Sequence, residues 1–349
     1  MTERIGIAFS GGADSTAAVL LLRARGYNLF ALHMLLSDAP AAREQAVRAA
    51  SLARQLGLEC AIIDMIKVFS QQVVAPFCAA YEAGRTPNPC IVCNRELKFG
   101  LLFQEARARG ADRLATGHYA RIAHHGDTTV LKQAIDAGAD QSYFLYAIDP
   151  SVLGRLLLPL GDVCRAEIRN MVLEHGLPLK GSSQDICFLA GQDVQSFLST
   201  HVPALPGDVV DTHGRVLGRH GGLPFYTVGQ RHGLGLALRQ PMYVTRLDVR
   251  LNRVVLGTAS ELLCTTARLQ QVCWLTAPGQ SSFAAQGRIR HRSQPAPVQV
   301  TLRGDGATIR FITPQSAVAP GQSIVLYDAD TVLGGGVIAD SVSEEGDAS

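Results

Sequence analysis

Two cysteine-bearing segments and one glycine-rich turn are the parts of this 349-residue chain whose residue types and spacing can do chemistry. The first segment runs Thr86-Pro87-Asn88-Pro89-Cys90-Ile91-Val92-Cys93-Asn94-Arg95-Glu96-Leu97-Lys98-Phe99. Pro87 and Pro89 disfavour helix before Cys90, and the residues after Cys93 read as helix. Cys93 is therefore expected at or just before a helix N-terminus, where the dipole, Arg95 and Lys98 favour its thiolate. The second segment is Ser182-Ser183-Gln184-Asp185-Ile186-Cys187-Phe188, a cysteine in a short apolar run beside polar residues. Thiols this far apart in sequence can meet in a fold, one carrying sulfur and the other resolving it. The remaining cysteines, Cys60, Cys78, Cys164, Cys264 and Cys273, read as packing residues. A four-sulfur structural zinc site is not indicated, because no second Cys-x-x-Cys and no His-x₃-His pair follows the first.

The turn is Ser10-Gly11-Gly12-Ala13-Asp14-Ser15, between a first β run and a first helix. Two glycines let the backbone bend tightly and approach a ligand. The helix N-terminus then offers unpaired N–H groups and a positive dipole end to phosphate. Ser10 and Ser15 add hydroxyls, and Asp14 can hold Mg²⁺ or cap the helix. The pattern G-x-x-x-x-G-K-[ST] is absent, so a Walker-type nucleotidase is not indicated.

The elements that must position these groups follow a βαβα rhythm in the first half. Residues 5–9, 29–35, 59–64 and 114–117 read as strands, and residues 14–25, 42–56, 94–109 and 162–175 as helices. That order predicts a parallel sheet with helices on both faces. The texture changes near residue 190. Eight glycines fall between 207 and 235, and from about residue 262 short β-type runs recur between turn residues (267–275, 285–291, 298–302, 308–312, 323–327), the pattern of a small β-barrel. The expected division is 1–190 for the nucleotide and thiol domain, 191–260 for a small central mixed domain, and 261–342 for the barrel. The acidic tail 341–349 reads as frayed.

Net charge is only +2, but between residues 212 and 304 twelve arginines face only Asp248 and Glu261. A basic region attached to a mildly acidic one suggests a polyanionic partner. No apolar run reaches the ~20 residues of a membrane-spanning helix. The first residues lead straight into a strand-like run without a signal-peptide pattern, and eight cysteines are too few for a disulfide scaffold. A cytoplasmic protein without a membrane partner is expected.

The hexapeptide at Ser10 resembles the SGGxDS signature of the PP-loop ATP pyrophosphatases, which activate an oxygen by adenylation. The chain as a whole resembles the bacterial tRNA-specific 2-thiouridylases almost end to end. The likeness rests on the Ser10–Ser15 loop, Pro-Asn-Pro-x-x-x-Cys-Asn with Lys98-Phe99, Thr116-Gly117-His118-Tyr119 and Asp140-Gln141-Ser142-Tyr143-Phe144-Leu145. It continues through Ile186-Cys187-Phe188, Thr227-Val228-Gly229-Gln230-Arg231 and Pro320-Gly321-Gln322-Ser323. The resemblance implies an N-terminal adenylation domain, a central domain and a C-terminal barrel. It implies ATP-dependent 2-thiolation of the wobble uridine, U34, of tRNA, with ATP cradled by Ala8, Phe9, Ser10, Gly11, Gly12, Ala13, Asp14 and Ser15 and lined by Met34 and Gly117. It implies Cys187 as the thiol receiving a persulfide from a sulfur donor and Cys93 as the nucleophile that helps deliver it, the two able to form a disulfide. Asn88, Pro89 and Cys90 match target-base positions. His118, Ala139, Asp140, Gln141, Arg290, His291 and Gln322 match tRNA contacts.

Many members carry Asp where this chain has Cys90. Three thiols, Cys90, Cys93 and Cys187, leave open a variant in which a [4Fe-4S] cluster carries the sulfide. Two other classes fit parts of the pattern: a PP-loop ligase of small molecules, disfavoured by the missing glutaminase domain and the basic second half, and an RNA-binding protein with a structural metal site.

Overall fold

The computed structural model describes residues 3–126, 128–176, 186–189, 191–238 and 240–342. Ser182 to Asp185 of the second cysteine motif, Pro178 and the tail 343–349 lie outside the described residues.

Alternating apolar strands and amphipathic helices give a five-stranded parallel sheet in the order Cys60–Asp64, Asn28–Leu35, Arg4–Ala8, Arg113–Ala115, Leu156–Leu157. Such strands are buried on both sides, and the two faces carry separate cores. One packs Ile5, Ile7 and Ala31 against Ala17, Leu22, Ala53 and Ile168 from three helices. The other packs Phe30, Leu32 and Leu114 against Ile91, Leu97, Leu102 and Ala106 from the helical stretch after Pro89. The chain turns opposite ways from the central strand Arg4–Ala8, to Asn28–Leu35 on one side and Arg113–Ala115 on the other. The crevice at the carboxyl ends of these strands is where a doubly wound sheet binds its ligand, and the Ser10–Ser15 and Thr116–His118 segments both leave the sheet there.

Helix boundaries differ from the sequence reading in two informative places. Helix starts at Pro89, not after Cys93: Asn88 Oδ1 accepts the Cys90 N–H at 3.2 Å, and proline fits the first helical position because its missing N–H would have had no partner there. Cys93 thus lies a full turn inside a continuous helix. The helix expected from Asp162 begins at Arg165, with Cys164 as its cap residue and the Cys164 N–H donating to Glu167 at 3.1 Å. Cys164 is exposed, which corrects its reading as a packing residue.

The second half forms a four-stranded sheet (Tyr243–Asp248, Arg253–Gly257, Gly207–Asp211, Val216–His220) and a barrel. Six strands, Leu263–Trp274, Gly306–Ser316, Ala296–Arg303, Ser282–Arg288, Ser323–Asp328 and Thr331–Val342, close on themselves through the pairing of the first with the last. The last strand is absent from the sequence reading because its Gly334-Gly335-Gly336 run resembles a loop. A hairpin from the first half, Ala120–His125 with Thr128–Gln133, extends the barrel sheet through Thr331 against Lys132.

Asp140 ties these parts together. Its carboxylate accepts from the Ala134 N–H (3.0 Å), the Ser142 N–H (3.2 Å) and the Ser142 hydroxyl (2.9 Å), and it pairs with barrel residue Arg288 at 3.1 Å. At 3 % exposure, beside Ala139 at 6 %, the Asp140 carboxylate holds the 139–142 segment from inside. Arg288 Nε already lacks a partner. Asp140→Ala would leave a buried guanidinium uncompensated, and chemical denaturation is expected to report a loss of about 3–5 kcal/mol. A loss below about 1 kcal/mol would show that the pair does not secure the junction.

Candidate active site

The helix Ala13–Ala24 begins at Gly12 with no side-chain cap, so its first-turn N–H groups stay open toward the crevice. Gly11 adopts φ +75° to make the bend. Ser15 Oγ donates to the Gly12 carbonyl (3.0 Å) and lies 3.2 Å from Ser10 Oγ, while Ser10 Oγ accepts the Gly12 N–H at 3.3 Å. Asp14 Oδ1 accepts the Tyr119 hydroxyl at 2.8 Å, and Arg165 lies over that tyrosine ring. Burial and the Asp14 carboxylate hold Tyr119 far above the usual phenol range, so it remains a donor. Behind the loop, buried His33 holds the Phe9 carbonyl through Nδ1 at 2.9 Å, which requires the proton on Nδ1, and burial keeps the ring neutral. Met34, next to it, packs partly buried against the core. Gly117 packs directly on the first turn of the helix Ala13–Ala24: a Cβ there would sit 3.0 Å from the Asp14 carbonyl carbon and from Ser15 N.

The link from this loop toward the thiols runs through His118 and Lys98. His118 follows Gly117, and Lys98 Nζ lies 3.4 Å from its Nε2. An ammonium can only donate, so Nε2 accepts and the ring is neutral with its proton on Nδ1, 2.7 Å from Thr116 Oγ1. Burial, then Lys98, push His118 well below its ordinary range. Lys98 in turn acts electrostatically on Cys90, Cys93 and Cys187 alike, and the Cys187 charge is felt at both of the others. The fold therefore unites the two cysteine motifs. Residues five apart diverge by about 140° on an α-helix. The π-helical winding of Cys93–Leu101 brings Lys98 round to the face of Cys93.

Cys93 is 6 % exposed, and burial pushes it up to about 11, with Lys98 pulling weakly the other way. This corrects the expected thiolate. The dipole favours a first-turn residue that Cys93 is not, and Arg95 is paired with Glu96 at 2.6 Å instead. Cys90 is also raised, by burial first, and Cys187 is raised because packed groups surround its sulfur although the residue keeps an open face to solvent. Alkylation of the Cys93 peptide, followed by mass spectrometry, is expected to accelerate about tenfold per pH unit from pH 7 to 10 without a plateau. Lys98→Gln should slow it several-fold at pH 8 and Lys98→Arg should not. Equal rates in all three would remove Lys98 from the site.

Cys187 opens a short 3₁₀ turn, Cys187–Leu189, and is exposed. Its neighbour Phe188 anchors the turn edge-on to Phe69 and Phe77 and against Phe197. Asn94, 2 % exposed beside Cys93, donates to the Phe144 carbonyl at 3.0 Å, and the Phe144 ring packs on His291 at 4.4 Å. Arg290 lies on the exposed turn before His291. Gln141 Oε1 accepts the Tyr119 N–H at 3.0 Å, and Gln322 Nε2 donates to the Thr86 carbonyl at 2.8 Å. Sequence reasoning gave no role to Tyr119, Asn94, Thr86 or Thr227, although all four stand inside quoted motifs. His33 left no signal beyond an isolated histidine in a strand.

Among the described residues, no group of three His, Cys, Asp or Glu side chains is arranged to hold a metal ion. Cys90, Cys93 and Cys187 share an electrostatic neighbourhood but do not form a cluster-binding triad, so the [4Fe-4S] variant is not favoured. No helix among the described residues is long and apolar enough to cross a membrane.

Comparison with known proteins covers nearly all of this architecture. Residues 3–191 match a tRNA methyl transferase HUP domain, 195–258 a tRNA methyl transferase PRC-barrel domain, and 264–338 an aminomethyltransferase beta-barrel domain. The chain is 40% identical to the tRNA-specific 2-thiouridylase MnmA of Pelobacter propionicus, covering 99% of this chain and 100% of that protein. It is 41% identical to that of Desulforudis audaxviator (97% and 99%) and 43% identical to that of Acidithiobacillus ferrooxidans (95% and 97%). A solved U34-tRNA thiolase of Methanococcus maripaludis with a [4Fe-4S] cluster aligns at a TM-score of 0.36 and 16% identity, over 58% of this chain and 68% of that one, too remote to carry an argument.

Proposed function

The chain belongs to the tRNA-specific 2-thiouridylase family, and from that membership we propose how its residues place sulfur on tRNA. The chain is a tRNA sulfurtransferase that 2-thiolates uridine; full-length relatives decide this over the methyl transfer in the domain descriptions. In our reading the target is the wobble uridine, U34, and the reaction is cytoplasmic, where tRNA is modified.

The C2 oxygen of uracil is a poor leaving group. ATP bound along residues 8–15, with Mg²⁺ carried by its phosphates and Asp14 as the carboxylate at hand, supplies an adenylyl group to that oxygen and releases pyrophosphate. The open helix N-terminus, Ser10 and Ser15 hold the phosphates, and Met34 and Gly117 shape the nucleotide pocket. Cys187, loaded as a persulfide by a sulfur-donor protein, presents its terminal sulfur to C2. The C–S bond forms and AMP departs with the original oxygen. Cys93, once deprotonated, attacks Cys187 Sγ, the S–S bond breaks, and the sulfur stays on the base as the 2-thiocarbonyl. A Cys93–Cys187 disulfide remains, which an external thiol must reduce. Asn88, Pro89 and Cys90 face the target base. His118, Gln141 and Gln322 contact the tRNA together with Arg290 and His291, which lie in the basic stretch 212–304 whose charge suits a polyanion.

What supports this reading above all is the single residue step from Gly117, against the phosphate loop, to His118, which holds Lys98 beside the thiols. The test is nucleoside mass spectrometry of tRNA from cells lacking this protein. Loss of 2-thiouridine derivatives at position 34 is expected, and unchanged levels would overturn the assignment of the target.

A further inference from the structure

Thr86, two residues before Asn88, spends all three of its polar groups on other domains. Its N–H donates to the Pro320 carbonyl (2.8 Å), its carbonyl accepts from Gln322 Nε2 (2.8 Å), and its hydroxyl donates to Thr227 Oγ1 (3.2 Å). The first two partners belong to the barrel and the third to the central region. The fit is close as well as polar. Gly321, at φ +92°, leaves no room for a side chain: a Cβ would sit 2.8 Å from Thr86 N and 3.0 Å from Arg85 Cβ. On the other side, a Cβ at Gly84 would meet Val249 at 2.8 Å and Leu247 at 3.4 Å. The Thr227 turn is fixed by its own N–H to Gln230 Oε1 at 3.1 Å.

Residues 83–88, with Thr86 among them, link the helix Ala75–Glu82 to the helix that starts at Pro89 and carries Cys90 and Cys93. The barrel and central regions therefore grip the one stretch of chain that sets where the Asn88–Cys93 helix begins. We propose that Thr86 is a positioning residue, through which docking of the barrel and central domains fixes the Asn88–Cys93 segment in register for sulfur transfer. This rests on the reading that the basic half holds the tRNA while the thiols act on it. The grip links the two: the surfaces that bind the polyanion also hold the base-facing loop, so placement of the RNA and placement of the thiols are referred to one residue.

The test uses the full chain, a tRNA substrate and single-turnover thiolation, with tRNA affinity measured separately by filter binding. Thr86→Val, which keeps the shape and removes the hydroxyl, and Thr227→Val, which removes the same bond from the other side, are each expected to slow thiolation roughly tenfold, the cost of a sub-ångström misplacement. Their tRNA affinity should stay within about twofold of the parent chain. The double variant should be no slower than either single one, because both remove one bond. Thr86→Ser should restore the rate. Parent-like rates in Thr86→Val and Thr227→Val, or losses found wholly in tRNA affinity, would overturn the proposal. A parent chain that does not thiolate tRNA would instead overturn the functional reading beneath it.

Discussion

Cys187→Ser is expected to lower tRNA thiolation by on the order of 10³-fold or more while leaving tRNA-stimulated conversion of ATP to AMP measurable. The persulfide needs a thiol at this position, and a serine oxygen cannot accept sulfur from a donor. In the proposed reaction, adenylation of the base precedes sulfur transfer and uses the loop at Ser10–Ser15, so it survives. Cys93→Ser should lose thiolation by a similar factor for another reason: Cys187 still loads, but nothing within the site breaks the S–S bond. Mass spectrometry should find a persulfide on Cys187 in that variant after loading without tRNA, a Cys187–S–S–C2 adduct with the tRNA once ATP and tRNA are added, and neither in Cys187→Ser. Persulfide on neither, with activity intact in both, would remove the thiol pair from the mechanism. Cys93 enters the reaction protonated, because burial holds it up at about 11. Turnover limited by its deprotonation should rise with pH across the neutral range.

Gly117→Ala is expected to produce the second large effect, at the nucleotide end. Its new Cβ would meet Asp14 and Ser15 backbone atoms at 3.0 Å, closer than nearly all real Cβ contacts. Backbone in the first turn of a helix cannot swing aside as a flexible side chain can, so the loop must shift. A displacement of this kind where phosphates are held costs about 100-fold in turnover. Pyrophosphate release should fall by that factor, while alkylation of Cys93 and Cys187 stays near the parent rates. Undiminished pyrophosphate release would move the nucleotide away from the Gly117 wall.

These two outcomes separate the halves of the site, and the halves were not equally readable. The phosphate loop is local: strand, two glycines, serines and helix start are contiguous from Ile7 to Ser15, so backbone geometry and hydrogen bonding follow from short-range pattern. The parallel sheet was readable for the same reason, since alternating strands and helices admit few topologies. Ionisation was not. The presence of Lys98 and Arg95 near Cys93 in sequence predicts a thiolate, yet Arg95 pairs with Glu96 and burial outweighs Lys98. The helix start differs from the sequence expectation because proline, a barrier inside a helix, is an initiator at the first helical position, where Pro89 sits. The strand Thr331–Val342 was missed because glycines that admit close strand crossings in a barrel look like loop residues outside it.

The βαβα rhythm of the first half, the glycine–serine turn, the two cysteine motifs and the basic character of the second half are set by the sequence alone. Each depends on residue type and short spacing. Only the tertiary structure decided that Cys187 and Cys93 share one lysine, that His118 is neutral, that Asp140 is consumed inside the fold, and that Thr86 joins three regions. Those are outcomes of burial and of contacts between residues up to 236 positions apart, as for Gln322 and Thr86. Desolvation and long-range pairing depend on which surfaces meet, and no local pattern along the chain encodes that.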